Sequence, residues 1–181
     1  MEQEYLDIVD EKNNPTGQKV LRAEAHQKGL WHRTIHLYVL RRRNGRTEFL
    51  IHLRSANKDR NPNKWAISFG GHIAAGGTVE DTLVREAMEE IGLPIRLQDV
   101  VSAPVRTHDD FPNREFIYPF FIEIEGDQKF IFHDGEVQKA EWMPLEEIRK
   151  SMETKDRVWA SSLRGLLERM KQIEQLFPEN Q

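Results

Sequence analysis

The sequence contains no cysteine, no long apolar run and no large excess of charge of one sign. The absence of cysteine excludes disulfides, thiolate metal sites and thiol nucleophiles. No apolar stretch approaches about 18 residues, the length expected of a membrane-spanning helix. The 26 basic and 30 acidic residues give a net charge of −4. The composition therefore predicts no general attraction to nucleic acid or to an anionic membrane.

The chain of 181 residues is long enough for one sizeable core, so we expect a single domain over residues 1–181. Its first residues lack the basic and apolar regions of a signal peptide, which makes a cytoplasmic location the default expectation. Within the domain, we expect an N-terminal hairpin and short helix over about residues 1–30. A C-terminal helix is expected over about residues 158–177.

Patterns of apolar residues predict an α/β fold, with helices on both faces of a mixed β-sheet. Strands are predicted at Tyr5–Val9, Gln18–Leu21, on either side of Asn44-Gly45, and at Trp65–Phe69, Val100–Thr107, Glu115–Glu125, Lys129–His133 and Val137–Met143. Helices are predicted at Arg22–Lys28, Val79–Ile91, Pro144–Ser151 and Val158–Phe177.

Three glutamates cluster near the end of the second predicted helix. At about 100° per residue, Glu86 and Glu90 lie one above the other, and Glu89 lies about 60° to one side. Such a cluster is unfavourable unless a cation neutralises it, and carboxylate oxygens suit Mg²⁺ or Mn²⁺. Arg85, four residues before Glu89, is expected to hold a carboxylate in place. For the glutamates alone, a solvated amphipathic helix is the alternative interpretation.

The glycines before this helix complete a longer pattern. Gly71 is followed after five residues by Gly77, and after seven more by REAMEEIGL, from Arg85 to Leu93. This pattern resembles the signature of the Nudix hydrolases, GX5EX7REUXEEXGU, in which U is a bulky apolar residue. Gly77 stands where the family has its first glutamate, and Ala87 is small for a U position. The resemblance implies a Nudix-type α/β/α sandwich and a metal-dependent enzyme that hydrolyses diphosphate linkages.

The first 93 residues also resemble one branch of this superfamily, the isopentenyl-diphosphate isomerases and hydrolases closely related to them. In the isomerases, a Cys-Gly-His stretch supplies the catalytic cysteine and a metal-binding histidine, whereas this chain has Gly70-Gly71-His72. The isomerases also lack a complete REUXEE core. Both differences favour hydrolysis over isomerisation. The matching positions are Asp10, Pro15-Thr16-Gly17, His26, His32-Arg33, Arg54, Pro62, Trp65 and Gly70-Gly71-His72.

The same resemblance suggests further site residues. His72 could bind metal or substrate, or could cap a loop. His26 and His32 correspond to a metal-binding pair of the isomerases, but their separation is one residue shorter, so we favour a structural or substrate-contact role. Glu115 falls near a metal-binding glutamate pair of that branch. Glu136 lies where Nudix enzymes often place a further ligand or general base. We assign His72 and Glu115 to substrate contact and Glu136 to catalysis.

A basic loop precedes Trp65. It contains Arg54, Lys58, Arg60 and Lys64 around an Asn-Pro-Asn turn. Lysine and arginine bind phosphates well, so Arg54, Lys58 and Lys64 are expected to contact the phosphates of a substrate. A solvated surface loop is the alternative.

The sequence as a whole predicts a pyrophosphohydrolase that uses Mg²⁺ or Mn²⁺, with Glu86, Glu89 and Glu90 as metal ligands. Its expected partner is a small nucleoside-diphosphate-X or isoprenoid-like diphosphate, with no nucleic acid and no membrane. One alternative is an isomerase-like enzyme that lacks the catalytic cysteine. Another is a catalytically silent Nudix module that binds a nucleotide or a partner. This alternative stays open because position 77 carries a glycine where the family has its first glutamate.

Overall fold

The computed structural model describes residues 3–58, 60–126, 128–132, 135–160 and 163–177. Its strands are β1 (Tyr5–Val9), β2 (Pro15–Leu21), β3 (His32–Arg43), β4 (Arg46–Arg54), β5 (Trp65–Ala66), β6 (Val100–Ser102), β7 (Arg106–Asp110), β8 (Asn113–Glu123) and β9 (Val137–Pro144). Its helices are α1 (Arg22–Lys28), α2 (Val79–Ile91), α3 (Leu145–Thr154) and α4 (Leu163–Leu176).

Strands β3 to β9 form one mixed sheet. Its central order is β5-β4-β3-β8-β6, with β7 also paired to β8 and β9 also paired to β4. β3 and β8 run parallel, from His32 opposite Glu115 to Leu40 opposite Glu123. The other strand pairs of the sheet are antiparallel. The long parallel pair brings the starts of β3 and β8 together at one end of the sheet.

Strand β3 is buried on both faces because side chains alternate along a strand. On one face, Ile35, Leu37 and Val39 belong to the apolar cluster that contains the buried residues of α2. On the other face, Tyr38 and Leu40 belong to the cluster that contains buried residues of α3 and α4. Helices therefore cover both faces, and the predicted α/β/α sandwich with a mixed sheet is confirmed.

Helix α2 has the bounds that the sequence predicts. The Thr78 hydroxyl accepts the backbone N–H of Asp81 at 3.0 Å and donates to Asp81 Oδ2 at 2.7 Å, so a side chain caps the first turn. Gly92 ends the helix in the left-handed region, with φ of 63°. Leu83, Ala87 and Ile91 have no exposed surface, which fixes this face of the helix against the sheet.

Several element predictions are wrong in detail. The predicted strand Trp65–Phe69 is regular only at β5, because Phe69 leaves β4 and pairs with Leu37 of β3. The predicted strand Val100–Thr107 divides into β6 and β7 around Pro104, which has no N–H for a ladder. Residues 129–132 form no strand, and His133 lies outside the described residues.

The predicted C-terminal helices shift at their starts. Pro144 ends β9 and precedes α3, which continues to Thr154 rather than stopping at Ser151. Helix α4 begins at Leu163 rather than Val158, and residues 161 and 162 lie outside the described part of the chain. Among the described helices, none has the length and apolar character needed to cross a membrane.

The N-terminal hairpin packs against the loop that precedes α2. Leu6 forms an antiparallel bridge with Ala74. The N–H of Ala75 donates to the carbonyl of Tyr5 at 2.8 Å, and the N–H of Gly76 donates to Asp7 Oδ2 at 2.7 Å. This predicted extension is thereby joined to the segment that positions the acidic helix.

Candidate active site

One large cavity, of about 1510 Å³, collects most of the side chains that the sequence singles out. It lies beside the first half of β3. Its walls come from the glycine-containing loop before α2, the acidic edge of α2, the basic loop after β4, and parts of β7, β8 and α4.

The segment before α2, which we call the glycine loop (residues 69–77), lies along the edge of β3. The N–H of Ile35 donates to the carbonyl of Gly71 at 3.0 Å, and Phe69 exchanges backbone hydrogen bonds with Leu37. Gly70 has φ of 137°, and a Cβ added there would lie 2.2 Å from the carbonyl oxygen of Ile35. A side chain at position 70, including the thiol that the isomerases carry, does not fit this backbone.

Two glutamates of α2 pack directly on the glycine loop. Glu90 is buried, and its Oε2 accepts the N–H of Gly70 at 2.7 Å. Glu86 lies against Gly71, where an added Cβ would meet Glu86 Oε1 at 2.5 Å. The two glycines therefore allow the carboxylates of α2 to approach the edge of β3.

Arg85 bridges Glu86 and Glu89. Its Nη2 lies 2.8 Å from Glu86 Oε1, and its Nη1 donates to Glu89 Oε2 at 2.8 Å. Burial raises the pKa of Glu86, although Arg85 opposes that rise. Glu89 is the more exposed of the pair, with 55% of its side-chain surface accessible. Arg85 thus contacts two of the three α2 carboxylates that line the cavity.

A second group of candidate ligands lies at the parallel strand pair. The register of β3 and β8 places His32 next to Glu115. An antiparallel bridge between Thr34 and His72 brings the histidine of the glycine loop to the same end of the sheet. Helix α1 ends just before, at a left-handed glycine, so the chain turns back and carries His26 over β3.

The four side chains His26, His32, His72 and Glu115, which we call the histidine cluster, each offer a ligand atom within 4.8 Å of the others. Nε2 of His26 lies 3.3 Å from Nε2 of His32, and Glu115 Oε1 lies 3.7 Å from the same atom of His32. His32 Nδ1 lies 2.8 Å from the carbonyl of Leu30, which favours a proton on Nδ1 and leaves Nε2 as the ligand atom.

The pKa shifts of three members of this cluster, His26, His72 and Glu115, suit a divalent metal. Burial lowers the pKa of His26 to about 4, with further lowering by His72 and His32. Burial also lowers the pKa of His72, against a hydrogen bond with Glu4. Burial would raise the pKa of Glu115, but the hydrogen bond with His32 and nearby histidines lower it to about 2. Neutral imidazoles and an ionised carboxylate are the forms that coordinate metals.

The cluster changes the interpretation of its members. From the sequence, His26 and His32 are expected in structural or substrate-contact roles because their spacing is short, and His72 and Glu115 are expected to contact substrate. The structure brings all four together in an arrangement that could hold a metal ion. The number of residues between His26 and His32 does not predict their distance in space, because α1 ends between them and the chain turns back.

The basic loop reaches the cavity only in part. Arg54 and Lys58 line it, and Lys58 forms an ion pair with Glu136, which also lines the cavity. Arg60 contacts Asn113 at the start of β8. Lys64, by contrast, does not line the cavity: its ammonium donates to Asn61 Oδ1 at 2.9 Å within the turn. Of the three residues expected to contact phosphates, Arg54 and Lys58 thus lie at the cavity and Lys64 does not.

The turn at Gly77 has a carboxylate neighbour from another part of the chain. Gly77 itself has no positive φ, and its N–H donates to the carbonyl of Ala74 at 2.8 Å. The adjacent N–H, that of Gly76, donates to Asp7 of β1. A carboxylate thus supports the loop although position 77 carries none.

Four further polar residues of the cavity wall do not stand out in the sequence: His36, Tyr38, Arg106 and Arg169. His36 and Tyr38 alternate with apolar residues of β3. Arg169 is 2% exposed, although it lies in an amphipathic helix where an arginine is expected to face solvent.

Comparison with known proteins identifies the family to which this chain belongs. A model of the NUDIX domain matches residues 30–163. An uncharacterized Nudix hydrolase of Clostridium acetobutylicum is 39% identical over 102 residues, which span 56% of this chain but only 48% of that protein. An isopentenyl-diphosphate Delta-isomerase 2 of Photorhabdus laumondii is 30% identical over 148 residues, 81% of this chain and 80% of that protein. A crystal structure from Deinococcus radiodurans superimposes with a TM-score of 0.70 at 23% identity, covering 92% of this chain and 98% of the other.

Proposed function

Because the chain belongs to the NUDIX domain family, we propose that it is a metal-dependent hydrolase of the diphosphate linkage in a small molecule. The observation that carries this proposal is the shared cavity. The three carboxylates of α2, two members of the histidine cluster (His72 and Glu115) and three cations of the basic loop (Arg54, Lys58 and Arg60) line it. Carboxylate and imidazole groups that can bind metal thus line the same cavity as lysine and arginine side chains that can bind phosphates.

Two sets of residues are proposed to hold divalent cations. The carboxylates of Glu86, Glu89 and Glu90 form the first, whose oxygen donors suit Mg²⁺ or Mn²⁺. The histidine cluster forms the second, and its three imidazoles favour a transition-metal ion over Mg²⁺. A bound cation would neutralise the charge of the diphosphate and lower the pKa of a water molecule.

The chain's own residues then orient the substrate. Arg54 and Lys58 line the cavity and are proposed to bind phosphate oxygens. Glu136, held near the cavity by Lys58, is proposed to accept the proton of the attacking water. Arg85 fixes Glu86 and Glu89 and is proposed to act as a positioning residue.

Hydrolysis is favoured over isomerisation by the backbone at Gly70. Isomerisation needs an acid that protonates carbon, and the chain has no cysteine to supply one. A Cβ at position 70 would clash with the carbonyl of Ile35, which argues that the fold requires this glycine. The loop is also supported at Gly76 by Asp7, which favours an active enzyme over a silent module.

The proposal predicts a requirement for metal and for the acidic edge of α2. A panel of small diphosphates with Mg²⁺ or Mn²⁺, read by phosphate release and product mass, should identify turnover that EDTA abolishes. Glu89→Gln keeps the side-chain size but removes the charge, so we expect a loss of at least about 100-fold in kcat. Glu80→Gln, at an exposed position in the first turn of the same helix, is the matched control and should leave kcat unchanged.

The same panel discriminates the alternatives. Isopentenyl diphosphate in heavy water should show no rapid deuterium exchange, and rapid exchange would favour the isomerase. Unchanged turnover in Glu89→Gln, with a native circular dichroism spectrum, would remove α2 from the metal site. A protein that turns over no member of a broad panel would support the silent module.

A further inference from the structure

Two arginines lie side by side in the wall of the cavity. Arg169, on α4, is almost completely buried, and Arg106 begins β7. Nε of Arg169 donates to the hydroxyl of Tyr38 at 3.0 Å, and Nη2 of Arg106 donates to the same oxygen at 3.4 Å. Because both guanidinium groups converge on one phenolic oxygen, two positive charges are neighbours in a largely buried place.

The hydrogen-bond partners of this pair are neutral: both arginines donate to Tyr38, and Nη1 of Arg169 donates to Gln172 Oε1 at 3.1 Å. Nη2 of Arg169 is 3.8 Å from Glu168 Oε2, on a side chain that is 48% accessible to solvent. Nε of Arg106 is buried and has no hydrogen-bond partner among the described residues. Burial lowers the pKa of Arg106 and the charge of Arg169 adds to that shift, whereas Tyr38 and Glu168 oppose it. Buried like charges and an unpaired donor are unfavourable unless an anion joins them.

The arginine pair lies further along β3 than the carboxylates of the proposed metal site. Glu86 and Glu90 touch the glycine loop where Gly71 pairs with Ile35. Tyr38 lies three residues further along β3, about 10 Å along the strand at roughly 3.3 Å per residue, and it lines the same cavity as Glu86 and Glu90. His36 lies between, with Nδ1 3.4 Å from the hydroxyl of Ser68. The intervening wall therefore includes polar groups.

We propose that Arg106 and Arg169, with the Tyr38 hydroxyl, form a subsite for a second anionic group of the substrate, a phosphate or a carboxylate. This inference rests on the proposed function, because it describes the end of the substrate remote from the diphosphate. Paired guanidinium groups bind oxyanions through charge-assisted hydrogen bonds. The substrate is accordingly a diphosphate whose far end is ionised, and a hydrocarbon tail is a poor match for this part of the cavity.

Three synthetic ligands of similar length test the subsite without any turnover. They are heptyl diphosphate, 6-phosphonohexyl diphosphate and 6-carboxyhexyl diphosphate, titrated calorimetrically into the native protein in EDTA. One or both of the ω-anionic ligands should bind about tenfold tighter than heptyl diphosphate, the ratio expected for one additional charge-assisted contact. A gain for the phosphonate alone identifies a phosphate subsite, and a gain for the carboxylate alone identifies a carboxylate subsite.

Variants assign the preference to the arginines. Arg106→Gln and Arg169→Met should each remove most of the tenfold preference and leave heptyl diphosphate binding unchanged. Arg164→Met is the matched control on α4, because the Arg164 side chain is 91% exposed, and it should keep the full preference. Arg169→Met keeps the apolar stem of the side chain and removes the repulsion between the two cations, and circular dichroism checks the fold of both variants.

The outcomes separate this inference from the proposed function. Equal affinity of all three ligands for the native protein would overturn the subsite, and this measurement depends on no variant. A preference that persists in both folded arginine variants would also overturn it, and would leave Arg169 as a structural partner of Tyr38. Absence of hydrolysis across the diphosphate panel, with the preference intact, would reject the hydrolase and retain the anion subsite.

Discussion

Replacing Gly70 with alanine tests how the glycine loop is held at the cavity. The φ of 137° at this position is one that L-residues rarely adopt, and such strain costs about 1–3 kcal/mol. The added Cβ would also lie 2.2 Å from the carbonyl oxygen of Ile35, a backbone atom that cannot rotate away. We expect Gly70→Ala to lower the free energy of unfolding by about 3 kcal/mol or more. For a domain of this size, that corresponds to a fall in Tm of about 6–12 °C.

Gly17→Ala is the matched control for this experiment. Gly17 also has a positive φ, 78°, but nothing lies within 4 Å of a Cβ added there. The difference between the two variants in urea unfolding therefore measures the contact with Ile35 more than the cost of positive φ. Gly70→Ala should also lose hydrolysis, because the Gly70 N–H that Glu90 accepts would shift. Equal destabilisation by the two substitutions, or full hydrolysis in Gly70→Ala, would refute the reasoning.

Two further predictions concern pH and the turn before α2. Burial lowers the pKa of His52 from 6.5 to about 3, so its contribution to stability is present above pH 6.5 and is lost as the pH falls below it. From pH 7.5 to 5.5, the free energy of unfolding should fall by about 1 kcal/mol less in His52→Phe than in the native chain. Urea titrations at the two pH values measure this, and an equal fall in both proteins would contradict the prediction. Gly77→Glu should raise kcat only modestly in the native chain, because Asp7 already supports Gly76, and more strongly in Asp7→Ala. A native chain that is inactive until Gly77→Glu is introduced would instead identify a silent module.

The parts of the structure that the sequence predicts well are governed by neighbouring residues. The ends of α2 follow from the Thr78 cap and from Gly92, both within a few residues of the helix. The bounds of α1 are confirmed for the same reason, since Gly29 ends that helix in a left-handed conformation. The division between β6 and β7 reflects the local effect of Pro104, which the strand pattern alone does not reveal.

The site is harder to predict where it depends on strand register. His32 and Glu115 are adjacent only because β3 and β8 pair in parallel although they are far apart along the chain, and no local pattern specifies that register. Arg169 escapes prediction for a different reason. In the pattern of α4 it is a polar residue between Leu166 and Met170, and only the packing of the helix against β3 turns it towards Tyr38.

The attachment of the N-terminal hairpin matters when a Nudix protein is shortened to the boundaries of its family match. The NUDIX match starts at residue 30, yet His26 belongs to the histidine cluster and Asp7 supports the turn at Gly76. A fragment trimmed to the matched segment would keep the acidic helix but lose His26, a candidate metal ligand, and Asp7, which supports the glycine loop. Transplanting this segment into another Nudix scaffold, or aligning it alone to infer specificity, would therefore compare incomplete active sites.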